Sequence, residues 1–241
     1  MAQAFGGFFI KRMKLDRSRY MIALGTIAGV LLLDQLLKFY IKLHYHQGES
    51  TPIFSWFQLY FIENEGMAFG LKWGGNYGKI LLTTFRIIFV SGLGYYLVRL
   101  IKRPAHKGYI FCMCLIFAGA MGNIIDSVFY GLIFSSSTYA QVAHLFPAGG
   151  GYAPVLKGQV VDMLYFPLYH GILPKWIPFV GGREFSFFDA IFNISDASIS
   201  IGVFLIVIFQ NKFFRRGKTA RLQEASPLPD QAPEENGPQA N

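Results

Sequence analysis

Polar residues in this 241-residue chain gather in blocks, and between the blocks lie four apolar runs, residues 20–41, 80–101, 109–134 and 187–209. Each has the length of about 20 residues that a helix needs to cross a hydrocarbon core of roughly 30 Å. Each is bounded by charge, glycine or proline. The first run continues past Asp34 and Gln35 with no small-residue cleavage pattern after it, so it predicts an uncleaved anchor rather than a secretory leader. Residues 54–62 (FSWFQLYFI) are rich in β-formers and aromatic rings, which suits a short sheet at a membrane interface. Residues 135–186 carry Ser135-Ser136-Ser137, Gly149-Gly150-Gly151, Pro167, Pro174 and Pro178 and are too broken for one helix. From about Glu224 the chain turns to Pro, Gln, Ala, Glu and Asn, which predicts a disordered tail. The pattern gives an all-α membrane protein with four transmembrane helices, a small extracytoplasmic β-sheet and a long second outer insertion. Its body is residues 1–211, with outer segments 42–79 and 135–186, followed by a basic and then disordered tail, 212–241.

Composition narrows the class. The chain is 53% hydrophobic and only 15% charged, against roughly 25% charged in a soluble domain. Its net charge of +8 sits in three flanks: Lys11, Arg12, Lys14, Arg17 and Arg19; Arg99, Lys102, Arg103 and Lys107; and Lys212, Arg215, Arg216, Lys218 and Arg221. With four spans these flanks share one side, which the positive-inside bias assigns to the cytoplasm together with both termini. The charge is therefore topological, and no nucleic-acid partner is expected. Cys112 and Cys114 lie in one apolar run and indicate neither a disulfide nor a metal site. The pairs His44/His46 and Glu63/Glu65 would each point to one side of an extended chain, but loop histidines and solvated glutamates are the commoner reading. No metal and no cofactor are expected. Arg86, inside the second span, is given a structural role, facing the bundle interior or the headgroups.

An ionisable group in a spanning segment costs at least about 2.5 kcal/mol at the helix centre, so each one requires a partner, a cavity or a task. Asp34 lies in the first run, Asn123 and Asp126 in the third, and Asn193 and Asp196 near the start of the fourth. Asp162 follows Val160-Val161 and is expected to dip into or lie against the bilayer. Asp34 and Lys38 are four apart and can pair; Asn123 and Asp126, and Asn193 and Asp196, are three apart and are expected to share helix faces. Asp162 and Asp196 have no basic residue at helical spacing. Two such carboxylates at one dry site would share a proton, the chemistry of an aspartic protease. Spacing alone leaves this open against a proton or ion pathway in a small transporter, or a scaffold without chemistry.

The segments Leu33-Asp34-Gln35-Leu36-Leu37-Lys38, Glu63-Asn64-Glu65-Gly66-Met67-Ala68-Phe69, Gly119-Ala120-Met121-Gly122-Asn123-Ile124-Ile125-Asp126, Val160-Val161-Asp162 and Phe192-Asn193-Ile194-Ser195-Asp196 resemble, in this order, the signatures of the lipoprotein signal peptidases, or signal peptidase II. The resemblance covers all four spans. It implies an intramembrane aspartic endopeptidase of the bacterial inner membrane, with its site near the outer face, that cuts prolipoproteins before a diacylglyceryl-modified cysteine. Asp162 and Asp196 would be its catalytic dyad, and Asp34, Asn64, Gly66, Asn123, Asp126 and Asn193 would bind substrate or support the site. The same likeness implies an outer sheet over residues 54–72 and inhibition by globomycin. The partners expected are lipid-modified prolipoproteins and membrane lipids, with the chain acting as a monomer. Two departures stand out. Ser127 occupies a position that is usually arginine in the family, with Arg183 the candidate substitute, and residues 135–158 and 167–186 are insertions.

Overall fold

The computed structural model describes residues 16–64 and 75–224. Its elements are α1 (Arg17–His44), β1 (Ser50–Phe54), β2 (Phe57–Asn64), α2 (Gly75–Lys102), α3 (Lys107–Ile125), a π-helical turn (Asp126–Tyr130), α4 (Gly131–Ile133), β3 (Val160–Tyr165), β4 (Tyr169–Ile172), β5 (Glu184–Phe187), β6 (Ile191–Phe192) and α5 (Ile194–Glu224). Four stretches, Arg17–His44, Gly78–Lys102, Lys107–Ile133 and Ile194–Phe214, are long and apolar enough to cross a membrane. Local chemistry sets their starts. The Asp16 carboxylate accepts from the Ser18 amide at 3.1 Å and caps α1, and His106 Nδ1 accepts from the Gly108 amide at 3.1 Å to cap α3.

The fourth span begins later than the apolar run predicts. Residues 187–193 are not helical: Phe187 ends β5, Ile191 and Phe192 form β6, and the helix starts only at Ile194. Hydropathy counts these mostly apolar residues as span, but Phe188 and Phe192 turn their rings onto Phe166, the latter stacking with centroids 5.6 Å apart. Asn193 and Asp196 consequently do not share a helix face. Asn193 is the cap, its side-chain oxygen accepting from the Asp196 amide at 2.9 Å and its carbonyl from the Ala197 amide at 3.1 Å.

The expected sheet over 54–72 is also redrawn. Four antiparallel strands run in the order β1-β2-β3-β6, so the strand that carries Asp162 belongs to the sheet, with Ile62 opposite Asp162 and Asn64 opposite Val160. Residues 65–72 of that expectation, Gly66 among them, lie outside the described residues. β4 and β5 form a separate hairpin. The expectation of a tail beginning at 212 meets a helix that runs on to Glu224; the remainder of the tail lies outside the described residues.

Two apolar clusters bracket the bundle. One, of Leu97, Leu100, Ile101, Ile110, Met113 and Cys114, packs α2 on α3 at the end away from the sheet. The other joins Ile41, Phe61, Tyr130, Phe134, Val161 and Met163 beneath the sheet. The polar side chains lie between them. Glycine makes that layer possible: a Cβ on Gly119 would come 2.3 Å from the Ser195 carbonyl oxygen, and one on Gly122 would come 2.0 Å from Ser195 Oγ and 2.8 Å from an Asp34 oxygen. Without these side chains α3 approaches α5 closely enough for short polar groups to meet.

Candidate active site

The layer is built outward from α1. Asp34, Lys38 and Lys42 repeat every four residues and so form one stripe, and all three are buried. Lys38 Nζ lies 2.8 Å from Asp34 Oδ2 and 2.7 Å from Asp126 Oδ2, so the predicted Asp34–Lys38 pair forms and is extended to α3. Gln35 donates to Asp126 at 3.0 Å and accepts from the buried Tyr130 hydroxyl at 3.1 Å. Asp34 accepts from the Ser195 amide at 2.9 Å, which fixes the first turn of α5, and Asp126 accepts from the Val161 amide at 3.3 Å, which fixes the strand beside Asp162. The π-turn at Asp126 leaves carbonyl groups for the incoming chain: Gly158 donates to Ser127 O at 2.8 Å and Ala153 to Gly131 O at 3.0 Å. π-bulges recur at functional sites for this reason, since they redirect side chains and backbone groups together.

On this frame Asp162 and Asp196 are brought to one place. Asn193 spans them: its side-chain nitrogen donates to Asp162 Oδ1 at 2.7 Å while its side-chain oxygen accepts from the Asp196 amide. Asn123 donates to Asp196 Oδ1 at 2.7 Å, and its oxygen accepts from Lys38 at 3.2 Å, so α1 orients the amide that orients Asp196. Asn64, at the end of β2, donates to Asp162 Oδ2 at 3.4 Å. Asp162 is only 3% exposed. Burial, and after it the neighbouring charge of Asp196, push its carboxyl up to about 7, against the opposing effects of the Asn193 bond and the Lys38 charge. A carboxyl poised near neutrality can donate or accept a proton at working pH.

Of the residues singled out in the sequence, Asp34, Asn64, Asn123, Asp126, Asp162, Asn193 and Asp196 therefore join one connected network, and Gly66 lies outside the described residues. Gln35 and Tyr130 belong to the network as well, though only Gln35 carried a signal, as a polar residue inside a span. Glu63 is not a solvated loop side chain. It is 3% exposed and ion-paired to Lys42, which also donates to Ser137 at 2.9 Å. Lys42 lay one turn beyond Lys38 on the same stripe, and that was the available signal. Arg183 does not take the place of the missing arginine at Ser127: it sits exposed next to β5, its amide donating to Val180 O at 3.2 Å. The Ser127 hydroxyl donates back to Asn123 O at 2.9 Å. Besides Lys38, Arg86 on α2 lies within electrostatic reach of the acid pair, feeling the charges of Asp196 and Asp162.

Four membrane-length helices closed at one end by a sheet, with a buried and a part-buried aspartate at the junction, define a multi-pass membrane protein with an acidic site. Comparison with known proteins places it further. The family model described as signal peptidase (SPase) II matches residues 26–212, and the chain belongs to that family of peptidases. It is similar to a lipoprotein signal peptidase of Porphyromonas gingivalis strain ATCC 33277, 41% identical over 218 residues, 90% of this chain and 93% of that one. It is likewise similar to one of Amoebophilus asiaticus strain 5a2, 37% identical over 188 residues, 76% of this chain and 75% of that one. A bacterial membrane enzyme solved by the in meso method shares the fold at 22% identity, with a TM-score of 0.51 over 88% of this chain and 95% of that one. Membership of this family disfavours the transporter reading.

Proposed function

We propose that the chain is an intramembrane aspartic endopeptidase that removes the signal peptide from prolipoproteins, cutting before a diacylglyceryl-modified cysteine, with Asp162 and Asp196 as its catalytic pair. The observation that carries the reading is that Asn193 ties the Asp162 carboxyl to the Asp196 backbone amide, with the Asp162 carboxyl pushed up to about 7 by burial and by the charge of Asp196. Two carboxyl groups in a dry site hold one proton between them. The ionised member takes a proton from a water molecule as its oxygen attacks the scissile carbonyl, and the protonated member gives its proton to the developing oxyanion. Collapse of the tetrahedral species expels the amine, which takes the proton held by the first carboxyl, while a hydroxyl on the same carbon returns its proton to the second, leaving a carboxylic acid product and the pair again with one proton. Asn64 and Asn123 offer amide groups to an extended peptide backbone, where hydrogen bonds are strong for lack of competing water.

The even number of spans and the lysine and arginine bias support an inner-membrane protein with both termini in the cytoplasm and the sheet end outside. There the site meets a substrate whose lipid chains stay in the outer leaflet. Inhibition by globomycin and action as a monomer belong to the same reading. Incubation of the purified protein with diacylglyceryl-modified prolipoprotein, resolved on a gel, should release the signal peptide, and Asp162→Asn or Asp196→Asn should each stop it while the protein stays folded. Full cleavage by either variant would sink the assignment.

A further inference from the structure

α2 presents two faces. Leu81, Phe85, Ile88 and Phe89 are exposed, as residues turned to lipid are, while Thr83 and Val90 are buried. Arg86 falls three residues after the first and four before the second, which sets it on the inward stripe, and it is half-buried. The stripe is packed against the segment leading into β3, because the Thr83 hydroxyl donates to the Leu156 carbonyl at 3.2 Å. From there the guanidinium lies within electrostatic reach of both Asp196 and Asp162.

The cations near the pair are Lys38 on α1 and Arg86 on α2, and around Lys38 stand Asp34 on α1 and Asp126 at the π-turn that follows α3. Glu63, on the neighbouring strand β2, is matched by Lys42. Lys38 is held between Asp34 and Asp126, so two carboxylates draw on its charge before it reaches the pair. With both members of the pair ionised, Lys38 would face four carboxylates. A second positive charge is what a dry site needs if one member of the pair is to stay ionised.

We propose that Arg86 is a positioning residue for the acid pair: from α2 its charge holds one of the two aspartates ionised, so that the pair keeps one shared proton rather than two. The proposal rests on the reading of Asp162 and Asp196 as the catalytic pair. Arg86 touches neither water nor peptide in this role; it sets the protonation state in which the base is available.

The test is the pH dependence of kcat/KM for cleavage of diacylglyceryl-modified prolipoprotein by the purified full-length chain. Arg86→Gln should move the acid limb upward by about one pH unit, since a lost neighbouring positive charge favours the protonated carboxyl. Activity on the acid side of the limb then falls about tenfold. Arg86→Lys, which keeps the charge, should leave the limb near its original position. Arg86→Met gives the same reading if the glutamine variant fails to fold. A limb unmoved in the neutral variants, with activity scaled down evenly at every pH, would mean that Arg86 only packs; a limb moved as far by lysine as by glutamine would mean that shape, not charge, matters. Either result overturns the proposal. If the aspartate variants are inactive while the Arg86→Gln profile keeps its limb, the pair stands and Arg86 alone fails; if Asp162→Asn still cleaves, the pair fails and Arg86 with it.

Discussion

Two pairs of aspartates lie in neighbouring parts of one network, all buried but the part-buried Asp196, and they are held in opposite ways. Asp34 and Asp126 hold the Lys38 ammonium between them at 2.8 and 2.7 Å, with all three side chains fully enclosed. Asp162 and Asp196 are met by amides, from Asn193, Asn64 and Asn123, with Arg86 acting from α2. An ammonium locked between carboxylates fixes their charge. Amides orient a carboxyl without fixing its charge, because the protonated and ionised forms can both accept their hydrogen bonds. One pair is thus suited to holding helices in register and the other to exchanging a proton.

The contrast predicts different consequences for similar substitutions. Replacing either carboxyl, by Asp162→Asn or Asp196→Asn, should lower cleavage on the order of 10³-fold or more, as expected where two groups act as a unit, with thermal unfolding in detergent little altered at low pH. Lys38→Met should do the reverse in kind. It leaves two buried carboxylates without their cation, a loss of about 3–5 kcal/mol, and should appear as a large drop in unfolding temperature. Combining it with Asp126→Asn should recover part of that loss, because the two changes touch one interaction. Equal stability of Lys38→Met and the parent chain would erase the distinction between the two pairs.

The sequence made the fixed pair half visible. Asp34 and Lys38 sit one helical turn apart, so their meeting follows from spacing, but Asp126 reaches the same ammonium from α3, and no local pattern predicts that contact. The family of the chain was legible from five short motifs in order. The four spans were legible too, because an apolar run of membrane length has few alternatives. The start of the fourth was not, since Phe187, Ile191 and Phe192 are as apolar in a strand as in a span. Asn193-Ile194-Ser195-Asp196 has the polar cap and the acidic third position of a helix start, and periodicity reads the same spacing as a shared face. That the strand carrying Asp162 pairs with the strand carrying Asn64, close enough for their side chains to bond, depends on pairing between residues 98 apart, which hydropathy does not encode. The burial of Glu63 likewise required a lysine from another element.

Asp162 should also show itself in stability. Asp162 is raised from 3.8 to about 7 in the folded chain, so the folded state binds more protons than the unfolded one between those values. Stability therefore falls as pH rises from about 4 to about 7 and levels off above that range. Asp162→Asn lacks the titrating group, so its stability should not follow this fall. Above pH 7 it should exceed the parent chain by on the order of 1–3 kcal/mol, and below pH 4 the two should converge. Chemical or thermal unfolding at several pH values measures the difference. A constant difference at all pH values would mean that Asp162 does not change protonation on folding.

The smallest effect concerns a third buried ion pair, which tests whether fixing charge is a general device of this fold. Lys42 pairs with Glu63, donates to Ser137 at 2.9 Å and lies 4.9 Å from the Tyr152 ring centroid. Ser137 and Tyr152 both come from residues 135–158, read from the sequence as an insertion, so the ammonium fastens that segment to α1 and β2. Ser137→Ala removes one acceptor and leaves the ion pair and the ring, for a loss of about 1 kcal/mol and a change in cleavage rate within about twofold. Glu63→Gln should be worse for stability, because the buried ammonium then lacks its countercharge. This ordering follows if the insertion is anchored by Lys42 and takes no part in the proton transfer. A collapse of cleavage in Ser137→Ala with stability intact would place the insertion within the working site and make the Lys42 pair more than a fastening.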